Sequence, residues 1–182
     1  MDFSPPQKSA FPSQMTLKIV PMTAAHISEV VQIQAEAFTP DLRETPEVFA
    51  NRIARFGEFF RVAFQNERMM GYVVAFPWKF GDAPVNNQKF PEELPEPDCF
   101  FIHDIALLPE ARGSGVARAL LEDAYETAHK LGFDAASLVA VGQSGNYWDR
   151  VGFVPYTRVT EAKRAYILDI YGAGARLMAR PI

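Results

Sequence analysis

The chain has 182 residues, 48% hydrophobic and 22% charged, with a net charge of −4 at neutral pH. These values suit one globular domain with a sizeable core, and no basic block stands out to neutralise a nucleic acid. A single cysteine, Cys99, excludes an internal disulfide and a thiolate cluster; no apolar run nears the roughly 18 residues of a membrane span, and no signal peptide shows, so a cytoplasmic setting is expected.

Residues 1–15 carry Pro5, Pro6 and Pro12 without any period and read as a flexible tail before a single domain over 16–182. Thr16–Val20 suits a short strand. Thr23 is an N-cap ahead of a helix with Ile27, Val30, Val31, Gln34 and Phe38 along one side. Thr45-Pro46 repeats that signal and opens a second helix with Val48, Phe49, Ile53 and Phe56 on one face, ending near Gly57. Phe59–Phe64 and Met69–Phe76 are two strands of a hairpin around Gln65-Asn66-Glu67-Arg68. Pro77, Pro84, Pro91, Pro95 and Pro97 then make residues 77–98 a proline-rich insertion loop, of a length that often covers a site.

Regular structure resumes with an apolar strand, Phe100–Leu108, closed by Pro109. After the glycine-bearing segment Arg112-Gly113-Ser114-Gly115-Val116-Ala117 comes a helix to Leu131. Its inner face is Ala117, Leu120, Leu121, Ala124, Ala128 and Leu131, and Gly132 and Phe133 cap it. A strand over Ala135–Val141, a short helix over Ser144–Val151, and strands near Phe153–Val159 and Arg164–Tyr171 complete the reading.

Strand, glycine loop and helix start together make an anion cradle: the first helical N–H groups lack intrahelical partners, and the helix dipole favours negative charge there. Gly113 and Gly115 allow the backbone close to a ligand. Two nucleotide motifs fail. Val116 and Ala117 stand where a phosphate-binding loop of the Walker type needs Lys and Ser or Thr, and Arg118 stands where a dinucleotide fingerprint needs its third glycine.

A third pattern fits. Residues 99–155 resemble the GNAT superfamily of N-acetyltransferases, whose motif Gln/Arg-x-x-Gly-x-Gly/Ala is matched by Arg112, Gly115 and Ala117. The flanks His103-Asp104-Ile105-Ala106-Leu107-Leu108-Pro109 and Asp149-Arg150-Val151-Gly152-Phe153 match too. The resemblance implies an α/β (α+β) fold: a mixed, largely antiparallel sheet of about six or seven strands, helices on both faces, and the fourth and fifth strands splayed apart. It also implies acetyl-CoA as donor. The amides of Gly113, Ser114, Gly115, Val116 and Ala117 would hold the pyrophosphate, with Arg112 facing the phosphates. The backbone of Ala106, Leu107 and Leu108 would bond the pantetheine arm.

An alkyl amine with a solution pKa near 10.4 is protonated at neutral pH, and neutralising it costs about 4–5 kcal/mol, so a base is needed. His103 is the candidate, with a satisfied structural histidine as its alternative. It aligns with one of two strand histidines of the arylalkylamine (serotonin) N-acetyltransferases, but Phe101 fills the partner position, which excludes a two-histidine relay. Asp104 points away from His103 if the strand is regular, and would bind an amine cation or orient a neighbour. Phe38 and Glu44, beside the first two helices, border the acceptor region of the family, although an exposed loop acid is the commoner state of such a glutamate. Trp148 occupies the position of the family's usual proton-donating tyrosine, and indole cannot serve as a general acid; its neighbour Tyr147 is the remaining candidate. Cys99 reads as a small packed thiol. Three functions stay open: acetylation of a small amine, aromatic ones included, without metal or covalent intermediate; acetylation of a protein N-terminus or lysine; and a non-catalytic CoA-binding module. The chain is expected to act as a monomer or homodimer.

Overall fold

A computed structural model describes residues 16–182; the tail expected over 1–15 lies outside the described residues. Seven strands form one sheet in the order β1-β2-β3-β4-β5-β7-β6. Strand β1 (Leu17–Pro21) leads through a 3-10 turn at Ala24–His26 into helix α1 (Ile27–Ala37). The Thr23 cap holds, with the His26 ring returning a bond: its Nδ1 accepts from the Thr23 amide at 3.0 Å. Helix α2 (Pro46–Phe56) begins at Thr45-Pro46 as its sequence dictates.

Strands β2 (Arg61–Gln65) and β3 (Arg68–Trp78) make the expected hairpin. Its two turn residues, Asn66 and Glu67, both have positive φ (49° and 65°), the twist that suits a two-residue hairpin loop. Strand β3 runs on through Pro77 to Trp78, so the long excursion starts two residues later than the prolines suggest. Strand β4 (Cys99–Leu107), helix α3 (Val116–Lys130), strand β5 (Ala135–Ala140) and helix α4 (Gly145–Arg150) follow. Leu131 falls outside the buried stripe of α3, 46% exposed. The Phe133 amide closes the helix on the Ala128 carbonyl at 3.1 Å.

The C-terminal fifth departs from expectation. The strand read over Phe153–Val159 shrinks to β6 (Val154–Pro155), and the one read over Arg164–Tyr171 is helix α5 (Glu161–Tyr171). The dense run Tyr166, Ile167, Leu168, Ile170, Tyr171 imitates a buried strand, yet only Ile167 is buried. Local signals decide instead. The Thr160 side chain caps the helix by accepting from the Lys163 amide at 3.3 Å, and Gly172 at φ 90° ends it. The last strand, β7 (Arg176–Pro181), pairs antiparallel with both β5 and β6.

Helix α3 covers one sheet face through Val116, Leu120, Leu121, Ala124 and Ala128, against Val73, Ala75, Phe100 and Ile102. Helices α1 and α2 cover the other through Val30, Ile33 and Phe49, against Tyr72, Val74, Phe76 and Phe101. Every strand pairing is antiparallel except β4 with β5. That parallel pair has just two rungs, Phe100 with Ala136 and Phe101 with Ser137, before the strands part. Among the described residues, no helix is long and apolar enough to cross a membrane.

Candidate active site

The glycine loop leaves β4 through a 3-10 turn at Pro109–Ala111. Gly113 and Gly115 take φ values of 76° and 92°, the left-handed region that a side chain enters only with strain. A Cβ on either would meet nothing within 4 Å, so the space in front of the loop is open. The first helical bond runs from Ala119 to Gly115 at 3.0 Å, which leaves the amides of Val116 and Ala117 without an intrahelical acceptor. Ser114 differs from expectation. Its amide (3.3 Å) and its hydroxyl (2.6 Å) both turn back to the Ala111 carbonyl, so the cradle rests on Gly113, Gly115, Val116 and Ala117. This arrangement fits a diphosphate.

Behind the loop, a cavity of about 450 Å³ fills the gap between β4 and β5, lined by Ala106, Leu107, Val139, Arg112, Gly113 and Tyr147 among others. The backbone polarity of β4 corrects one expectation. The Leu108 amide bonds the Met70 carbonyl at 2.9 Å and its carbonyl accepts from Ala111 at 3.0 Å, so Leu108 has nothing to offer an arm. Backbone groups alternate between the two edges of a strand. Ala106 therefore also faces β3, and the groups turned to the gap are those of Ile105 and Leu107. A further cavity of about 460 Å³ lies on the other side of the loop, lined by Gly115, Ala117, Tyr125 and Arg180.

The register of β4 explains the acid–base cluster. Val74 pairs with Asp104 and the next residue, Ala75, pairs with Ile102, which leaves His103 as the extra residue of a β-bulge. A bulge resets the alternation of side chains. Phe100 and Ile102 point to the α3 face and Phe101 to the other, while His103 and Asp104 both join the α1/α2 face. The expectation that Asp104 points away from His103 fails for this reason. The His103 ring lies against Phe76 and Phe101, and Asp104 accepts from the Tyr72 hydroxyl at 2.5 Å.

Glu44 is no exposed loop acid. Its side chain is 2% exposed and that of His103 is 4% exposed, with Oε1 and Nε2 3.0 Å apart. Arg52, fully buried, grips both oxygens of the same carboxylate, at 2.9 and 3.0 Å. The Asn87 amide adds a bond at 3.0 Å. Buried Gln34 fixes the Glu44 backbone through paired amide bonds of 2.7 and 2.8 Å. Burial pushes the Glu44 carboxyl up, but His103, Arg52 and the Asn87 amide outweigh it and hold it below its ordinary value. The carboxylate can therefore only accept, which assigns the proton to His103 Nε2 and leaves a lone pair on Nδ1. That Nδ1 is buried without a hydrogen-bond partner among the described residues. Burial first, then the Arg52 charge, depress the His103 pKa against the pull of Glu44, so the imidazole is neutral at pH 7.

The insertion loop is fastened onto this cluster. Arg52 donates to the Val85 and Gln88 carbonyls at 3.1 and 3.0 Å, and Asn87 accepts from the Thr45 amide at 2.9 Å. On its other side the loop meets α5 and the residue that follows β6. Tyr171 bonds the Pro84 carbonyl, Lys163 pairs with Asp82, and Phe80 stacks on Tyr156. Beneath lies a cavity of about 50 Å³ lined by Phe38, Leu42, Glu44, Asn86, His103, Asp104, Val139, Val141 and Tyr171. Phe38, His103 and Asp104 line this cavity and the larger one alike.

Tyr147 and Trp148 pack edge to face. Trp148 is buried against Phe153 and lines the cavity of the β4–β5 gap together with Tyr147, while Tyr147 also reaches the cavity on the other side of the loop, with burial holding its hydroxyl pKa above the ordinary value. Cys99 is fully buried, its thiol pushed up to about 12 chiefly by burial, which makes it an inert packed thiol. Arg52, Tyr72, Asn87 and Tyr171 were not singled out by sequence. Arg52 had a signal: it interrupts the apolar stripe of Val48, Phe49, Ile53 and Phe56.

Residues 27–153 match the profile of the Acetyltransferase (GNAT) family. No curated protein sequence gives a significant match. Among solved structures, Ard1 from Thermoplasma volcanium is similar with a TM-score of 0.67 at 14% identity, over 91% of this chain and 97% of that one. The PaiA N-acetyltransferase of Thermoplasma acidophilum, solved with coenzyme A, gives 0.66 at 13%, over 92% and 100%. The ribosomal-protein-S18-alanine N-acetyltransferase of Escherichia coli gives 0.63 at 19%, over 92% and 94%. At such identities the likeness is one of fold.

Proposed function

Because the chain belongs to the GNAT acetyltransferase family, we propose that it moves the acetyl group of acetyl-CoA directly to the nitrogen of a small primary amine, with His103 as the base. The observation that carries this reading is the unpartnered Nδ1 of a neutral, buried histidine that lines both cavities. Acetyl-CoA supplies the activated thioester. The open cradle of Gly113, Gly115, Val116 and Ala117 suits its diphosphate, with Arg112 alongside. The gap between β4 and β5 suits its arm, facing the backbone of Ile105 and Leu107, and the cavity beside Tyr125 and Arg180 suits its nucleoside end.

Two protons leave the amine nitrogen on conversion from ammonium to amide. His103 Nδ1 takes the first, and Glu44 steadies the imidazolium that results. The second passes to the departing sulfur, for which the Tyr147 hydroxyl is the candidate donor; Trp148 lines the same cavity, but its indole cannot serve as a general acid. Thiolate is in any case a fair leaving group, with a free thiol pKa near 8.5.

The small volume beneath the insertion loop supports a small acceptor over a polypeptide. The contacts of Tyr171, Lys163 and Tyr156 fasten the loop beside this cavity, which also supports a small acceptor. Phe38 and Tyr171 give the cavity an aromatic wall, which supports an aromatic amine, in keeping with the likeness of His103 to the arylalkylamine branch. The test is free-thiol release from acetyl-CoA across arylalkylamines, polyamines and peptides, run beside a thermal shift with acetyl-CoA. Turnover of small amines is expected. Preference for peptides would overturn the small-acceptor reading, and bound coenzyme without turnover would make the protein a CoA-binding module.

A further inference from the structure

We propose that Asp104 docks the ammonium group of the acceptor, and that the site selects primary amines with no carboxylate on the carbon bearing the nitrogen. This rests on the acetyl-transfer reading above and narrows its substrate class.

The β-bulge is the structural cause. By making His103 the extra residue, it brings the next side chain, Asp104, onto the same face and into both cavities. The charged and titratable groups facing Asp104 come from every element around it: Glu44 between α1 and α2, Arg52 on α2, Tyr72 on β3, His103 on β4 and Tyr171 on α5. Arg52 and Glu44 neutralise each other. Glu44 already accepts from Arg52, His103 and Asn87, with three of these contacts on Oε1 and one on Oε2. Tyr72 is a neutral hydroxyl donor whose pKa is raised far above its ordinary value, chiefly by burial. Among the described residues, Asp104 has only the Tyr72 hydroxyl and its neighbouring Ile105 backbone as hydrogen-bond partners. Among the described residues no cation is hydrogen-bonded to Asp104, and no Lys or Arg lines the small cavity.

The second observation is the His103 Nδ1 lone pair, buried and unpartnered on the adjoining side chain. An ammonium group fills both needs, with one N–H to Asp104 and one to Nδ1. Its N–H bond to the imidazole then breaks as the Nδ1–H bond forms, leaving the nitrogen lone pair free to attack. An amino acid in the same pose sets its carboxylate beside Asp104, where the Glu44 charge is already matched by Arg52 and the one cation of the larger cavity lining, Arg112, lies by the phosphate cradle. Like charges so placed in a poorly solvated cavity repel strongly.

Three matched pairs test this: propylamine with 2-aminobutyrate, 2-phenylethylamine with phenylalanine, and 3-methylbutylamine with leucine. The amine of any pair that is turned over is expected to lead in kcat/KM by at least about a hundredfold. Asp104→Asn should raise KM for the amine about tenfold or more and reduce the within-pair ratio below about ten, with the Kd for acetyl-CoA unchanged. Equal use of amine and amino acid by the wild-type protein, or a ratio untouched by Asp104→Asn, overturns the proposal while leaving acetyl transfer standing. No turnover of any of the six acceptors, with acetyl-CoA bound, overturns both.

Discussion

Replacing Asp104 by Asn should stabilise the fold, and by an amount that depends on pH. Burial, with Glu44 adding to it, raises the Asp104 carboxyl from 3.8 to about 7 against the Tyr72 hydrogen bond and the Arg52 charge. A difference of about three units, at about 1.36 kcal/mol each, is about 4 kcal/mol of unfavourable charge burial at high pH. Part of the residue stays open to the cavity, so solvent screening reduces this to about 2 kcal/mol. Below pH 4 the carboxyl is protonated in both folded and unfolded chains, and the substitution changes little. As pH rises from about 4 to about 7, the unfolded chain ionises while the fold keeps its proton, and the wild type loses stability relative to the variant. Above that the difference is flat. Asn retains an oxygen for the Tyr72 hydroxyl. Thermal denaturation at half-unit intervals from pH 4 to 9 should show the variant melting about 4–8 °C higher at pH 8 and level with wild type at pH 4. Parallel curves, or a variant less stable at pH 8, would refute the reasoning.

Arg52→Met strands the Glu44 carboxylate in the core and should cost about 3–5 kcal/mol in denaturant unfolding; adding Glu44→Gln should recover part of it. The depressed His103 pKa places the acid limb of kcat/KM below the ordinary imidazole value of 6.5, and His103→Gln should abolish that limb and lower the rate about a hundredfold or more. Gly115→Val forces a branched side chain to a φ of 92°, so calorimetric titration should show CoA affinity about tenfold weaker. Tyr147→Phe should lower kcat about tenfold or more without moving the CoA Kd, if its hydroxyl meets the departing sulfur.

The parts of the fold legible in the sequence were those fixed by short-range chemistry. Thr23, Thr45-Pro46, Gly132 and the Asn66-Glu67 turn declare their local backbone, and the glycine loop declares itself through Gly113 and Gly115. The illegible parts depend on partners distant in sequence. Helix α5 escaped because its apolar residues look buried and mostly are not, while its real signals, Thr160 and Gly172, lie at its ends. The bulge at His103 is a matter of register against β3, which no pattern within β4 reveals. Glu44 looked like a loop acid because its companions, Arg52, Asn87 and His103, come from three other segments. The engagement of Leu108 and Ser114 with nearby backbone likewise appears only once the chain has turned.

The two-rung meeting of β4 and β5 has a consequence for how the molecule holds itself together. The sheet is in effect two smaller ones, β1 to β4 and β5 to β7, clasped at one end like a clothes peg. Past the clasp, the gap-facing edge of β4 presents unsatisfied backbone groups, as a sheet edge does in a chain awaiting another strand. An amide-bearing molecule laid into the gap is therefore a missing strand as much as a reactant. Bound there as proposed, it would bridge the two half-sheets along the length that β4 and β5 leave unpaired.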